Sequence, residues 1–174
     1  MEIIEDDLTG PAVRALLERH ARGMLENSPP DACHFLDLSG LQVPEVTVWS
    51  IWDDGSLAGC GALREIDGRH GEVKSMRTAD DHLGKGVGRK MLEHIVAVAR
   101  SRGYRRLSLE TGNGPSFEAA VHLYRSSGFE PCGPFDQYTE SEFSRYFTLD
   151  LVDASGPVGS IAAEAPSAVD GGTS

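Results

Sequence analysis

Apolar positions return at helical spacing in three stretches and at shorter, strand-like spacing in several others, and the two periods divide the chain. Val13, Leu16, Leu17, His20 and Met24 fall on one face of a helix that opens near Pro11 and closes at Pro29-Pro30. Asp7 or Thr9 can cap it. Val87, Met91, Leu92, Ile95, Val96 and Ala99 form a second stripe, ended by Gly103. Phe117, Ala120, Val121 and Tyr124 form a third, with Ser116 as its cap and Gly128 as its stop. Between the first two stripes lie three extended runs, Val46–Trp52, Leu57–Glu65 and Glu72–Thr78, joined by short polar and glycine-bearing turns. Short turns between consecutive strands predict an antiparallel meander.

Further strands are expected at Met1–Glu5, Arg105–Glu110, Phe129–Cys132 and Phe143–Val152, the last alternating in a way that suits a sheet edge. The helix between Glu72–Thr78 and Arg105–Glu110 is long enough to carry the chain back for a parallel pair. His34–Leu41 reads as a short helix or a packed loop. The expected class is therefore α/β, with a mixed sheet and flanking helices.

Length and composition narrow the setting. The chain has 174 residues, enough for one domain with a sizeable core. Residues 1–152 carry all the periodic segments and are expected to form that domain. From Asp153 onward the chain is dominated by Ala, Gly, Ser, Pro and Glu, which predicts a flexible tail over 153–174. A net charge of −11 argues against a general nucleic-acid or anionic-membrane binder. Cys33, Cys60 and Cys132 form neither a disulfide framework nor a zinc pattern, so no metal is expected. With an acidic start and no long apolar run, the expected location is the cytoplasm.

One stretch carries the candidate chemistry. In Glu72–Arg89 an extended run enters a turn where Gly84, Gly86 and Gly88 alternate with Lys85 and Val87, and the turn opens into the second helix. A helix beginning at such a turn offers unpaired amides and a positive dipole end to a phosphate. A Walker loop needs a hydroxyl after the lysine, where this chain has Gly86. A dinucleotide fingerprint begun at Gly84 needs a third glycine where Arg89 stands.

The stretch instead resembles the acyl-coenzyme A core of the GCN5-related N-acetyltransferases. Their turn, Gln or Arg, two variable residues, Gly, a variable residue, then Gly or Ala, falls on Leu83–Gly88, with Leu83 departing from the usual first residue. Downstream, Asn113, Ala120, Leu123-Tyr124 and Gly128-Phe129 resemble the family's second pattern. The resemblance covers about Met1–Leu151 and is strongest from Glu72 to Phe129. It implies an acyl-CoA N-acyltransferase fold with a splayed central sheet, and transfer from acetyl-CoA to a primary amine. A non-catalytic acyl-CoA-binding regulatory module is the alternative, and a nucleotide-binding protein a third.

The resemblance also implies residue roles. The backbone near Met76 and Thr78 would pair with the pantetheine arm, and the Met76 N–H would polarise the thioester carbonyl. The amides of Gly84, Lys85, Gly86, Val87, Gly88 and Arg89 would cradle the pyrophosphate, with Leu83 and Asn113 beside the cofactor. Tyr124 would protonate the leaving thiolate. Glu72 is the first candidate for the base and Glu110 its rival, with His34, His70 and His122 as further candidates. Strand periodicity puts Glu72, Lys74 and Met76 on one face unless a bulge intervenes. Trp49, Trp52, Phe135 and Tyr138 are candidates for the acceptor pocket. The acceptor is expected to be a small-molecule or peptide amine, with a homodimer left open as the assembly.

Overall fold

The computed structural model describes residues 1–152; the expected tail, 153–174, lies outside the described residues. Strand β1 (Glu2–Glu5) leads to helix α1 (Pro11–Asn27), then a short helix α2 (Leu38–Leu41). Strands β2 (Val46–Asp53), β3 (Ser56–Asp67) and β4 (His70–Thr78) follow, then helix α3 (Val87–Ser101) and strand β5 (Arg106–Gly112). Helix α4 (Glu118–Ser126) and strands β6 (Glu130–Cys132) and β7 (Ser144–Asp150) complete the fold. The seven strands form one mixed sheet in the order β1-β2-β3-β4-β5-β7-β6.

The meander forms as expected, because β2, β3 and β4 pair antiparallel through short connections. Helix α3 returns the chain so that β5 pairs parallel with β4. Strand β7 is not at the edge: it lies between β5 and β6, and the three-residue β6 covers its outer side. Alternation reports two differently solvated faces, and it is silent on whether a further strand pairs alongside.

The apolar stripes bury as their spacing requires. Val87, Met91, Leu92, Ile95 and Ala99 of α3 lie in the main core with Ile51, Leu63, Leu107 and Phe147. Val13, Leu16 and Leu17 of α1 form a second core against Val48, Cys60 and Ala62. The expected helix caps do not form. Gly10 precedes Pro11 at the start of α1, while Asp7 accepts instead from the backbone and hydroxyl of Thr9. Ser116 lies inside a 3-10 turn, Pro115–Phe117, and donates to Asn27, tying the end of α1 to the approach of α4.

Two departures from regular pairing in β4 shape the molecule. Ala62 opposes Lys74 whereas Cys60 opposes Arg77, so β4 has one residue more than β3 across this interval. Ser75 absorbs it with φ +53, a left-handed conformation uncommon for a residue with a side chain. The bulge separates Glu72 and Lys74 from Met76, whose sulfur packs with Met91 and Ile95 of α3 beside Gly61. Secondly, β4 pairs with β5 only at His70–Glu72 opposite Arg106–Ser108. Beyond that point β4 continues with β3 to Thr78, while β5 continues with β7 to Gly112. A wedge therefore opens in the sheet between Val73–Thr78 and Leu109–Gly112.

Gly59 and Gly61 permit the close approach of α3. A Cβ at Gly59 would lie 2.7 Å from the Arg77 carbonyl oxygen and 2.8 Å from Val87. Backbone cannot move aside as a flexible side chain can, so Gly59→Ala is expected to destabilise the protein by about 1–3 kcal/mol. Urea unfolding measures it; a midpoint unchanged from wild type would show that the strand shifts freely.

Candidate active site

A cavity of about 230 Å³ occupies the wedge. β4 supplies Val73–Arg77 to its wall, β5 supplies Glu110 and Thr111, and α1 supplies His20, Gly23, Met24 and Asn27. His34, Phe35, Phe117, Ala120 and Tyr124 complete the greater part of the lining. The edge of β4 that β5 has left faces this space, so part of its backbone has no strand partner on that side.

Glu110 and Tyr124 meet in this one cavity. Glu110 is nearly buried, at 7% side-chain exposure; it accepts from Ser144 Oγ at 2.9 Å and lies 3.4 Å from His34 Nδ1. His34 is 38% exposed and reaches from Glu110 toward solvent. Tyr124 is buried at the end of the α4 stripe, against Phe129, and its hydroxyl has no hydrogen bond among the described residues. Burial pushes its phenol up to about 12, so it holds its proton throughout the neutral range.

Glu72, ranked first for the base by the sequence, occupies a different environment. It is 1% exposed and does not line the cavity. Its carboxylate accepts from Arg64 at 2.8 Å, from Lys74 Nζ at 3.2 Å and from the Tyr138 hydroxyl. Arg64 also pairs with Asp136, and Lys74 Nζ donates to Tyr138 at 2.9 Å and to the His34 carbonyl at 3.2 Å. Burial, then the adjacent Glu72 carboxylate, push the Tyr138 phenol far up, which keeps it a donor. Arg64 and Asp136 belong to no sequence motif; only the folding of the segment between β6 and β7 onto β3 and β4 brings them together.

The other candidates separate clearly. His70 bonds Ser108 at 2.7 Å and His122 is exposed, and neither lines the cavity. Trp49 is buried against His94, and Trp52 donates to Ser50, so both are framework rather than cavity wall. Phe135 and Tyr138 meet edge to face, as do Tyr138 and His34, and neither Phe135 nor Tyr138 lines the cavity. His20 and Arg77, which line the cavity, carry no motif and gain meaning only from the packing of α1 on β4.

From the cavity β4 runs on through Thr78 into the glycine turn. Gly84 and Gly86 have φ +74 and +78, and Gly86 is the residue from which α3 starts. Such angles are accessible to glycine at no steric cost. No backbone acceptor is present for the amides of Gly84, Gly86, Val87, Gly88 and Arg89 among the described residues, whereas Lys85 N–H donates to the His82 carbonyl at 3.4 Å. A Cβ on Gly88 would meet Leu123 at 3.1 Å, so this glycine also lets α3 abut α4. Lys85 is exposed, Arg89 donates to Ser126 Oγ at 2.7 Å, and Leu83 is 63% exposed. Asn113 is exposed after β5 and does not line the cavity. Open amides at the head of a fifteen-residue helix suit a phosphate, and the vacated strand edge suits an extended amide-bearing arm.

A sheet parted beside such a turn is the architecture of acyl-CoA N-acyltransferases. A Klebsiella pneumoniae structure assigned to that class superposes with a TM-score of 0.73 at 28% identity, covering 87% of this chain and 97% of its own. Residues 11–129 match the Acetyltransferase (GNAT) family, and the chain belongs to that family. The uncharacterized N-acetyltransferase YsnE of Bacillus subtilis (strain 168) is 52% identical over 151 residues, 87% of this chain and 100% of that protein. A GNAT family acetyltransferase from Elizabethkingia anophelis, solved with acetyl-CoA bound, shares the fold at a TM-score of 0.61 and 19% identity, over 86% of this chain and 97% of that one. The protein is an N-acetyltransferase. No helix among the described residues is long and apolar enough to cross a membrane.

Removing Glu72 leaves the nearly buried Lys74 ammonium without its counter-charge and takes from Arg64 one of its two carboxylate partners. Glu72→Ala is therefore expected to cost about 3–5 kcal/mol of stability, read as a lower urea midpoint. A loss below about 1 kcal/mol would show that the cluster does not hold the β6–β7 segment in place.

Proposed function

We propose that the protein transfers the acetyl group of acetyl-CoA directly to a primary amine held in the wedge between β4 and β5. The observation that carries this reading is the meeting of Glu110, Tyr124 and the unpaired edge of β4 in one cavity. Acetyl-CoA supplies an acyl group joined to a thiolate that can leave.

The turn would hold the pyrophosphate through the open amides of Gly84, Gly86, Val87, Gly88 and Arg89, with Lys85 adding charge. The stretch Met76–Thr78 would pair with the pantetheine arm along the edge vacated by β5. The Met76 N–H would then face the carbonyl oxygen as it gains negative charge. Leu83 and Asn113, both exposed, would contact the cofactor only from outside the cavity.

Glu110 takes the role of base, in preference to Glu72. Glu72 already accepts from three donors, two of them cations, and has no open face toward the cavity. Glu110 would remove a proton from the ammonium, freeing the nitrogen lone pair for attack. Tyr124 then gives its Oη–H proton to the departing sulfur and is restored by the second proton that the nitrogen sheds on becoming the amide, a role for which a phenol kept protonated by burial is suited. Cys60 is buried with its thiol pushed up to about 12, and burial also raises Cys33 and Cys132. Protonated thiols are poor nucleophiles, and none of the three lines the cavity, which supports transfer without an acyl-enzyme.

Free-thiol release measured with acetyl-CoA across a library of amines tests the reading. Glu110→Gln and Tyr124→Phe are each expected to lower kcat by about 10²–10⁴-fold, with the KM for acetyl-CoA unchanged within a few-fold. Full activity in both variants would remove these two residues from the mechanism.

A further inference from the structure

The charges around the cavity are not matched to a simple monoamine. Lys74 has no donor to spare: its three contacts, with Glu72, Tyr138 and the His34 carbonyl, use the capacity of the ammonium. His20 stays neutral, since burial, with the Arg77 charge beside it, lowers its pKa to about 4. Glu110 is the one carboxylate in the lining among the described residues. Arg77 is left as the incompletely matched cation. Its Nη2 donates at 3.2 Å to Asp80, a largely exposed carboxylate that also pairs with Arg19 at 3.5 Å. Its Nε is buried and has no hydrogen-bond partner. Buried guanidinium N–H groups are ordinarily paired, so this orphan donor, on a residue that lines the cavity, calls for a partner.

We propose that the acceptor is a small zwitterion of the α-amino acid type, with its carboxylate bound on the Nε edge of Arg77 and its ammonium directed to Glu110. The proposal rests on the reading of Glu110 as the group that receives the amine. The two charges sit on opposite walls of the wedge, Arg77 on β4 and Glu110 on β5, so the parting of the strands sets the spacing between them. The planar guanidinium edge matches a carboxylate geometrically, in a way the point charge of a lysine does not. A monoamine would satisfy Glu110 and leave the Arg77 Nε without an acceptor. The cavity of about 230 Å³ favours a compact acceptor over a long polycation.

Acetyl-CoA turnover is measured with the common α-amino acids, each beside its primary amide and its decarboxylated monoamine. At least one amino acid is expected to exceed both partners in kcat/KM by about 10- to 100-fold, the range of a hydrogen bond to a charged group. Arg77→Met is expected to abolish that preference by lowering kcat/KM for the amino acid about 10- to 100-fold, and Arg77→Lys to restore only part of it. Monoamines or amides used as well as the amino acids would overturn the proposal, with no variant needed. So would an Arg77→Met variant whose loss falls in the KM for acetyl-CoA, because the guanidinium would then serve the donor. Acetylation of other amines but of no amino acid rejects this acceptor class and leaves the transferase mechanism standing. An undiminished rate in Glu110→Gln, with the amino acid preference intact, removes the base assignment and keeps the carboxylate site at Arg77.

Discussion

Strand β4 keeps β3 as its neighbour along most of its length but holds β5 for only three residues, and the site depends on this parting. The geometry has a local cause. The additional residue at Ser75 takes a left-handed conformation, at a cost of order 1–3 kcal/mol for a residue with a side chain. Pairing with β3 on both sides of the bulge, and the packing of Met76 against α3, hold it there. Past Glu72 β5 pairs with β7 alone, and the gap receives side chains from α1 and α4. The cavity is thus a break in the hydrogen-bonded sheet whose backbone edge is open to a ligand. A continuous pair of strands would fill the same space with its own ladder.

The buried ions near the closed end of the wedge act as framework. Glu72 joins Arg64 of β3 to Lys74 of β4, while Asp136 and Tyr138 bring in the segment between β6 and β7. Buried charges are tolerated when their hydrogen-bonding capacity is filled, and each member here has two or more partners or an aqueous side. The cluster has a consequence for the cavity: it occupies the Lys74 ammonium, so the incompletely matched charges left on the wall belong to Glu110 and Arg77. A framework interaction in this way sets the electrostatics of the adjoining site.

The glycine turn illustrates a different economy. Gly84 and Gly86 supply backbone angles that leave amides open, whereas Gly88 supplies space for Leu123 and Gly59 supplies space for Val87. Similar glycines in one neighbourhood thus serve two ends: conformation at the phosphate-binding turn, and close approach of the helices that hold it. The turn is exposed, yet the helix behind it is anchored in the core through Val87, Met91 and Ile95. Open amides at the head of a firmly packed helix are already oriented before a ligand arrives.

Much of the architecture was legible in the chain because it is local. Three apolar stripes, the meander turns and the glycine turn are written in residues close together, where spacing and backbone sterics are sufficient. The turn and the Asn113–Phe129 pattern together indicated the family, which the match over residues 11–129 shows. The sequence put Glu72 ahead of Glu110 as the base, although both are carboxylates at strand positions and spacing does not report their surroundings. Their difference is one of neighbours, three donors around Glu72 against an outlook into the cavity for Glu110. Nor could alternation place β7 inside the sheet, or show that Asp7 and Ser116 would find partners other than a helix end. The single inserted residue at Ser75 reverses the facing of Met76 relative to Glu72, and its position depends on β3. What the sequence determined by itself was the set of elements and the phosphate-binding turn, because these follow from short-range sterics and periodicity. Which carboxylate faces the cavity, and which cation there is left incompletely matched, was decided only when strands far apart in sequence paired and then parted.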